Sequence, residues 1–191
     1  MKNTIVGLLV SLMLLSGNLG AKVPVTQSQK LRLTDNWEFL RQDVGNIWEL
    51  VRPMKVGQPE GSPIWTKVTL PHCFNAEDAV DPDVNYYQGP GWYKTQLTID
   101  NPYKNGRILL EFEGAGQKTD VYIYMTKVAG HTGGYDSWNV DITDAVNTFL
   151  SSKEAERFGG RVPLSIRCDN TRDAEMIPSD LSDFNLYGGI Y

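Results

Sequence analysis

The chain has 191 residues, enough for one sizeable hydrophobic core but too few for two domains of ordinary size. Hydrophobic residues make up 41% and charged residues 21%, which argues against general disorder, and the length excludes a (β/α)-barrel of about 250 residues. The formal charge of −5 argues against a broad nucleic-acid-binding surface.

The first segment of the chain has the layout of a secretory signal peptide. Lys2 precedes the apolar run Ile5–Leu15, and small residues follow it up to Ala21. The apolar run is shorter than the roughly 20 residues that a membrane-spanning helix needs. We therefore expect residues 1–21 to be removed, residues 22–191 to form one mature domain without a membrane span, and the protein to be periplasmic or secreted.

The two cysteines, Cys73 and Cys168, admit two interpretations. In an oxidising compartment they can form one disulfide, and otherwise they are two separately buried thiols. Their spacing does not predict a zinc site, because there is no Cys-x-x-Cys pair. Neither His72 nor His131 is followed by a second ligand at metal-binding spacing.

Most of the mature chain has the pattern of short strands separated by turns. Thr143 is expected to cap a short helix that ends near Leu150, and residues 169–191 are expected to be mainly loop. Neither repeats nor alternating strands and helices occur, so the pattern predicts an all-β, antiparallel sandwich of jelly-roll type. The predicted strands are Lys30–Leu33, Trp65–Leu70, Trp92–Ile99, Arg107–Glu113, Thr119–Tyr124, Val128–His131, Asn139–Ile142 and Val162–Cys168.

Two acidic patterns are candidates for catalysis or for cation binding. Glu111 and Glu113 share one face of a predicted strand about 7 Å apart, within the range that glycoside hydrolases use. They alternate with apolar residues, however, so the pattern favours a solvent-facing side, and no catalytic residue is predicted. Asp81 and Asp83 are spaced like the start of a calcium loop, but the glycine and glutamate that an EF-hand needs are absent.

Aromatic and polar residues are concentrated in two predicted loops. Aromatic rings pack on the apolar faces of sugars, and carboxylates and amides bind sugar hydroxyls, so these loops are a candidate sugar site. The alternative, which composition favours, is that most of these aromatics belong to the core. The set comprises Tyr86, Tyr87, Gln88, Trp92, Asp183, Asn185 and Tyr187.

Several ordered motifs run along the chain and can be compared with known families. They are Leu70–His72 with Gly89–Tyr93, Leu110–Gly114, Asp120–Ile123, Gly130–Asp144, Arg167–Asn170 and Tyr187–Tyr191. Together they resemble the N-terminal sugar-binding domain of glycoside hydrolase family 2, the family of β-galactosidases and β-glucuronidases. The order of the motifs makes the resemblance specific, since any one of them alone would be weak.

The resemblance implies a fold, a partner and a site. It implies a jelly-roll like that of galactose-binding domains, packed beside a catalytic barrel and contributing loops to its active site. Asp183 matches the aspartate that touches the terminal sugar in this family. Gln88 stands where some members have an asparagine, and Asn185 joins these two as a predicted substrate-binding residue. The expected ligand is a β-galactoside or a β-glucuronide.

Family members continue beyond the segment that matches Tyr187–Tyr191. We therefore expect this chain to lack the barrel, its catalytic glutamates and the last jelly-roll strand. The leading hypothesis is the sugar-binding domain of a secreted enzyme of β-galactosidase type, which hydrolyses terminal β-glycosides when whole. The alternatives are a free-standing carbohydrate-binding module and a structural partner of a separately encoded barrel. No cofactor is expected, and a cation supplied by the full enzyme stays open.

Overall fold

The computed structural model describes residues 28–52, 63–78, 80–179 and 181–191. The expected signal peptide, residues 1–21, lies outside this range. Within the described residues, no helix is long and apolar enough to cross a bilayer. The described residues from Leu33 to Tyr191 form one compact unit.

This unit consists of short strands with few helices, as the sequence predicted. In the part of the chain that the structure describes, two α-helices and one 3-10 helix, Ile47–Leu50, interrupt the strands. The elements in chain order are β1 (Trp37–Leu40), β2 (Thr66–Val68), β3 (His72–Cys73), β4 (Pro90–Leu97), β5 (Leu109–Phe112), β6 (Ala115–Gly116), β7 (Lys118–Ile123), β8 (Thr126–Thr132), β9 (Trp138–Asp141), α1 (Thr143–Leu150), α2 (Glu154–Arg157), β10 (Val162–Asp169) and β11 (Gly189–Ile190).

The strands form three antiparallel sheets. The main sheet has the order β2-β1-β4-β10-β7-β8, and the smaller sheets are β3-β11-β6 and β5-β9. Residues of all three sheets meet in one hydrophobic core. The predicted all-β sandwich is confirmed.

The core lies on one face of the main sheet because side chains alternate along each strand. Phe39, Tyr93, Ile166 and Val121 are opposite one another across four strands and are all buried. A second, smaller cluster on the other face contains Leu40 and Trp92, packed against residues at the end of the 3-10 helix. The main sheet is therefore covered on parts of both faces.

The structure corrects three sequence-based expectations. The segment Lys30–Leu33 forms no strand, and the strand predicted over Trp65–Leu70 is confined to β2. Thr143 is the first residue of α1 rather than its cap. Its hydroxyl accepts a hydrogen bond from the Ile108 amide at 2.8 Å, and the Asp141 carboxylate instead accepts one from the Thr143 amide at 2.9 Å. These two hydrogen bonds hold the start of α1 to the segment before β5 and to the end of β9.

Candidate functional site

The three predicted sugar-binding residues lie on two loops that follow strands of different sheets. Gln88 lies between β3 and β4, and Asp183 and Asn185 lie between β10 and β11. All three side chains are exposed. We call residues 86–89 and 182–188 the site loops. The three residues can form one site only if other contacts fix the backbones of these two loops side by side.

Asn170, which follows β10 directly, joins the two site loops. Its side chain is fully buried, and its amide nitrogen donates to the carbonyl oxygens of Tyr87 at 2.9 Å and Leu186 at 2.8 Å. Its side-chain oxygen accepts a hydrogen bond from the Gly89 amide at 2.8 Å. One side chain therefore fixes the backbone on both sides of Gln88 and places the two loops side by side.

Asn75, also buried, strengthens the same junction from the other side. Its amide nitrogen donates to the Leu186 carbonyl at 2.9 Å, and its oxygen accepts from the Gly188 amide at 2.9 Å. The Tyr86 hydroxyl also donates to the Leu186 carbonyl. Leu186 has no exposed surface, so the residue next to Asn185 is anchored through both its backbone and its side chain.

Arg172 fixes the loop around Asp183. Its guanidinium donates to the carbonyl oxygens of Ser182 and Phe184, the latter at 2.9 Å. These two carbonyls belong to the residues immediately before and after Asp183. The Asp183 carboxylate is thus exposed on a segment whose backbone is held on both sides.

Two glycines allow the end of the second site loop to pass close to β3. A side chain at Gly188 would place its first carbon 2.0 Å from the Phe74 ring. At Gly189 the same carbon would lie 2.0 Å from the His72 carbonyl, and the φ angle is +154°. Only glycine fits at these two positions, so the Gly-Gly pair is explained by close approach to the Phe74 ring and to the backbone of β3.

The predicted aromatic set divides between core and surface. Trp92 is buried in the smaller cluster and donates to Asp43 at 2.8 Å, so it is not a sugar platform. The half-buried Tyr87 donates its hydroxyl proton to the Pro90 carbonyl at 2.7 Å. Desolvation by burial raises the pKa of Tyr86 to about 12, with a further contribution from the nearby Tyr187 hydroxyl. Of the set, Tyr187 remains the exposed ring.

Two exposed aromatic rings were missed by the sequence analysis. Phe184 lies between Asp183 and Asn185 and has 64% of its surface exposed. Tyr135, which is 63% exposed, interacts electrostatically with Tyr86 and therefore lies on the same side of the molecule. Phe184 could have been predicted from its position between Asp183 and Asn185. Tyr135 could not, because it is distant in sequence from both site loops.

The other candidate groups are structural. His131 stacks on Trp138 at 4.7 Å between ring centroids, and His72 contacts the Tyr93 hydroxyl at 2.8 Å. Within the described residues, no group of three or more metal-binding side chains is present. Both cysteines are free thiols, and burial raises the pKa of Cys168 to about 12. Cys73 and Cys168 therefore form no disulfide with each other in the structure.

Glu111 and Glu113 are both exposed, at and just beyond the end of β5, with the buried Phe112 between them. They therefore point away from the core, as the alternation predicted. They lie outside the site loops, and nothing in the structure assigns them a catalytic role.

Comparison with known proteins gives one family. Residues 30–191 match the family described as glycosyl hydrolases family 2, sugar binding domain. A solved structure of a β-glucuronidase from Parabacteroides merdae is 74% identical, covers 84% of this chain and 20% of that chain, and has a TM-score of 0.81. Bacteroides uniformis β-glucuronidase 3 is 68% identical over 85% of this chain and 21% of its own, also with a TM-score of 0.81.

A curated relative gives the same picture. The β-glucuronidase of Bacteroides fragilis is 31% identical over 165 residues, which are 86% of this chain and 20% of that protein. The chain spans about a fifth of the length of the curated relatives that it matches.

Proposed function

The chain belongs to the sugar-binding domains of glycoside hydrolase family 2. We propose that it forms this domain of a β-glucuronidase and contacts the sugar through Asp183, Asn185 and Gln88. The observation that carries this proposal is the arrangement of the site loops. Each of the three side chains is exposed, and backbone beside each is held by a buried or half-buried polar side chain. A loop held in this way binds without a large loss of conformational entropy.

The chemistry of the three residues suits a sugar. The Asp183 carboxylate accepts hydrogen bonds from hydroxyl groups, and the amides of Asn185 and Gln88 both donate and accept them. The exposed Phe184 and Tyr187 provide apolar rings beside these polar groups. Such a mixture of a few polar groups with aromatic surface is typical of carbohydrate sites.

The resemblance alone suggested an enzyme of β-galactosidase type and left the sugar open between a β-galactoside and a β-glucuronide. The similar solved structures described above are β-glucuronidases, at 74% and 68% identity, and they support the β-glucuronide. Hydrolysis in this family, as the resemblance implies, uses two carboxylates and retains configuration. We assign that pair to another part of the enzyme, because Glu111 and Glu113 are outside the site loops.

Titration of the isotopically labelled chain with methyl β-D-glucuronide tests the proposal. We expect the amide signals of Gly89 and residues 183–188 to shift, and Asp183→Ala to weaken binding by about tenfold, which is about 1.4 kcal/mol. Glu156→Gln, an exposed change on α2, is the matched control. The proposal is wrong if these signals do not move, if Asp183→Ala binds equally well, or if methyl β-D-galactoside binds more tightly.

Export is the second part of the proposal. We propose that residues 1–21 direct the chain across the cytoplasmic membrane and are removed there. Mass spectrometry of the protein recovered from the periplasm of a Gram-negative host should show loss of about 21 residues. Recovery of the unprocessed chain from the cytoplasm alone would contradict this expectation.

A further inference from the structure

The face of the main sheet opposite Tyr93 has a row of polar side chains at its centre. Lys67, Glu38, Lys94 and Ser165 are directly opposite one another on β2, β1, β4 and β10. Residues paired in this way point to the same side of the sheet. The row therefore forms the floor of a depression on the outer surface of the sandwich.

Two segments outside the sheet make this depression a groove. Arg52 borders it after the 3-10 helix, and Arg157 and Arg161 border it at α2 and the loop that follows. The groove has a volume of about 1250 Å³. Small-molecule pockets have about 300–1,000 Å³, so this groove suits a longer, extended ligand.

The charge of the groove is opposite to that of the whole chain. The protein has a formal charge of −5, but cationic side chains outnumber carboxylates along the groove. Its carboxylates are Asp35 and Glu38. Its cationic residues are Arg52, Lys67, Lys94, Arg157 and Arg161. Among the described residues, Glu38, Glu49 and Glu154 pair with Lys94, Arg52 and Arg157, so the lining charges without an ion pair are Lys67, Arg161 and Asp35. One positive charge remains in excess, which favours an anion although the chain as a whole is negative.

Two of these cations have no carboxylate partner within the part of the chain that the structure describes. Lys94 is 3.3 Å from Glu38, and its ammonium lies 4.0 Å from the centre of the Trp65 ring. Arg52 and Arg157 also form ion pairs, whereas Lys67 and Arg161 have no such pair. Lys67 and Arg161 are thus the groups available to an incoming anion.

The rest of the lining indicates what kind of anion fits. Thr69 and Gln96 contribute a hydroxyl and an amide group, which bind hydroxyl-rich ligands. Trp37 and Phe158 also line the groove, but the first is buried and the second half-buried, so neither is an exposed platform on which a nucleic-acid base could stack. A polyhydroxylated anion matches these groups better than a nucleic acid does.

We propose that this basic groove binds an acidic oligosaccharide, whose anionic groups contact Lys67 and Arg161. The anionic group is a carboxylate or a sulfate, since both accept hydrogen bonds from lysine and arginine. This inference does not depend on the proposed function of the site loops. The ligand lies across the strands, along the row that begins at Lys67.

Calorimetric titration of the purified chain with four probes tests the inference. The probes are a hexameric oligogalacturonate, a heparin-derived hexasaccharide, neutral maltohexaose and inorganic polyphosphate. We expect at least one of the two acidic sugars to bind more tightly than both other probes, and its affinity to fall about tenfold as salt rises and screens the charges. The carboxylate and sulfate probes show which anionic group the groove prefers.

Paired variants locate the binding. Lys67→Gln with Arg161→Gln should weaken binding of the acidic sugar by about tenfold, and Lys67→Arg with Arg161→Lys should restore most of it. Lys104→Gln with Lys127→Gln removes the same charge away from the groove and should leave binding unchanged. The inference is overturned if the first double variant binds like the unchanged chain, or if maltohexaose or polyphosphate binds as tightly as both acidic sugars.

Discussion

Different interactions hold the main sheet and the site loops in place. In the main sheet, Ile166 is buried between Tyr93 and Val121 on neighbouring strands, and backbone ladders join these strands directly. In the site loops, the backbone is joined mainly through side chains, chiefly those of Asn170 and Arg172. Strand pairing and apolar burial hold the first region, and directional polar contacts hold the second.

This difference predicts different tolerance to substitution. Apolar burial is not directional, so a core position accepts another apolar residue of similar volume at modest cost. A buried amide that makes three hydrogen bonds accepts no substitute, because each donor and acceptor needs its own partner. Isosteric changes should therefore be more damaging in the site loops than in the core.

The largest effect is expected at Asn170. Asn170→Asp keeps the shape but places an oxygen against the carbonyls of Tyr87 and Leu186, so we expect a loss of about 3 kcal/mol in the free energy of unfolding. The core change Ile166→Val should cost only about 1 kcal/mol. Urea unfolding of both variants measures the two values, with the exposed change Asn147→Asp as control. Equal losses would show that the contrast between the regions is false.

A smaller effect, of opposite sign, is expected at Gln117, which lies between β6 and β7. The side chain is 1% exposed, and within the described part of the chain neither its oxygen nor its nitrogen has a hydrogen-bond partner. Gln117→Met keeps a similar volume and removes the buried amide, so we expect stability to rise by about 1 kcal/mol. Thermal unfolding measures this change in stability. A lowered melting temperature would mean that the Gln117 side-chain amide has hydrogen-bond partners in the folded protein.

The smallest effect is the pH dependence contributed by His72. Desolvation by burial lowers the pKa of His72, so the unfolded chain binds more protons near the ordinary value of 6.5. The contribution of His72 to the free energy of unfolding is therefore complete above pH 6.5, and it is lost as the pH falls from there towards the pKa of the folded state. Melting temperatures of the unchanged chain and His72→Gln, measured from pH 7.5 to about 5.5, should converge as pH falls.

A control separates the two histidines. His131→Gln changes the other histidine of the chain, which stacks on Trp138 in a different part of the sandwich. If the slope between pH 7.5 and about 5.5 disappears in His131→Gln and persists in His72→Gln, the assignment to His72 is wrong.

The sequence predicted the strands well where apolar residues alternate. β4, β7 and β10 lie within two residues of the segments expected, because burial on one face of a sheet imposes a period of two that a single sequence displays. The same signal failed for Lys30–Leu33, which alternates without forming a strand. Alternation shows that a segment can form a strand, whereas pairing with a neighbour decides whether it does.

The candidate site was predicted in its exposed residues but not in what supports them. Asp183 and Gln88 came from a resemblance, and their distance in sequence gave no indication that Asn170 joins their loops. The supporting residues Asn75 and Arg172 have no periodic pattern. Their partners are backbone carbonyls and amides, which every residue has, so the sequence contains no sign of which ones they bind.

By itself the sequence determined the all-β class, the ordered motifs of the family and the surface position of Glu111 and Glu113. These follow from local periodicity and from residue types at short spacing. Only the tertiary structure decided that Trp92 is buried, that the site loops share one fixed junction and that Lys67 and Arg161 border one groove. Each of these depends on strands and loops that meet from distant parts of the chain, and the geometry of long-range packing is not contained in any local pattern.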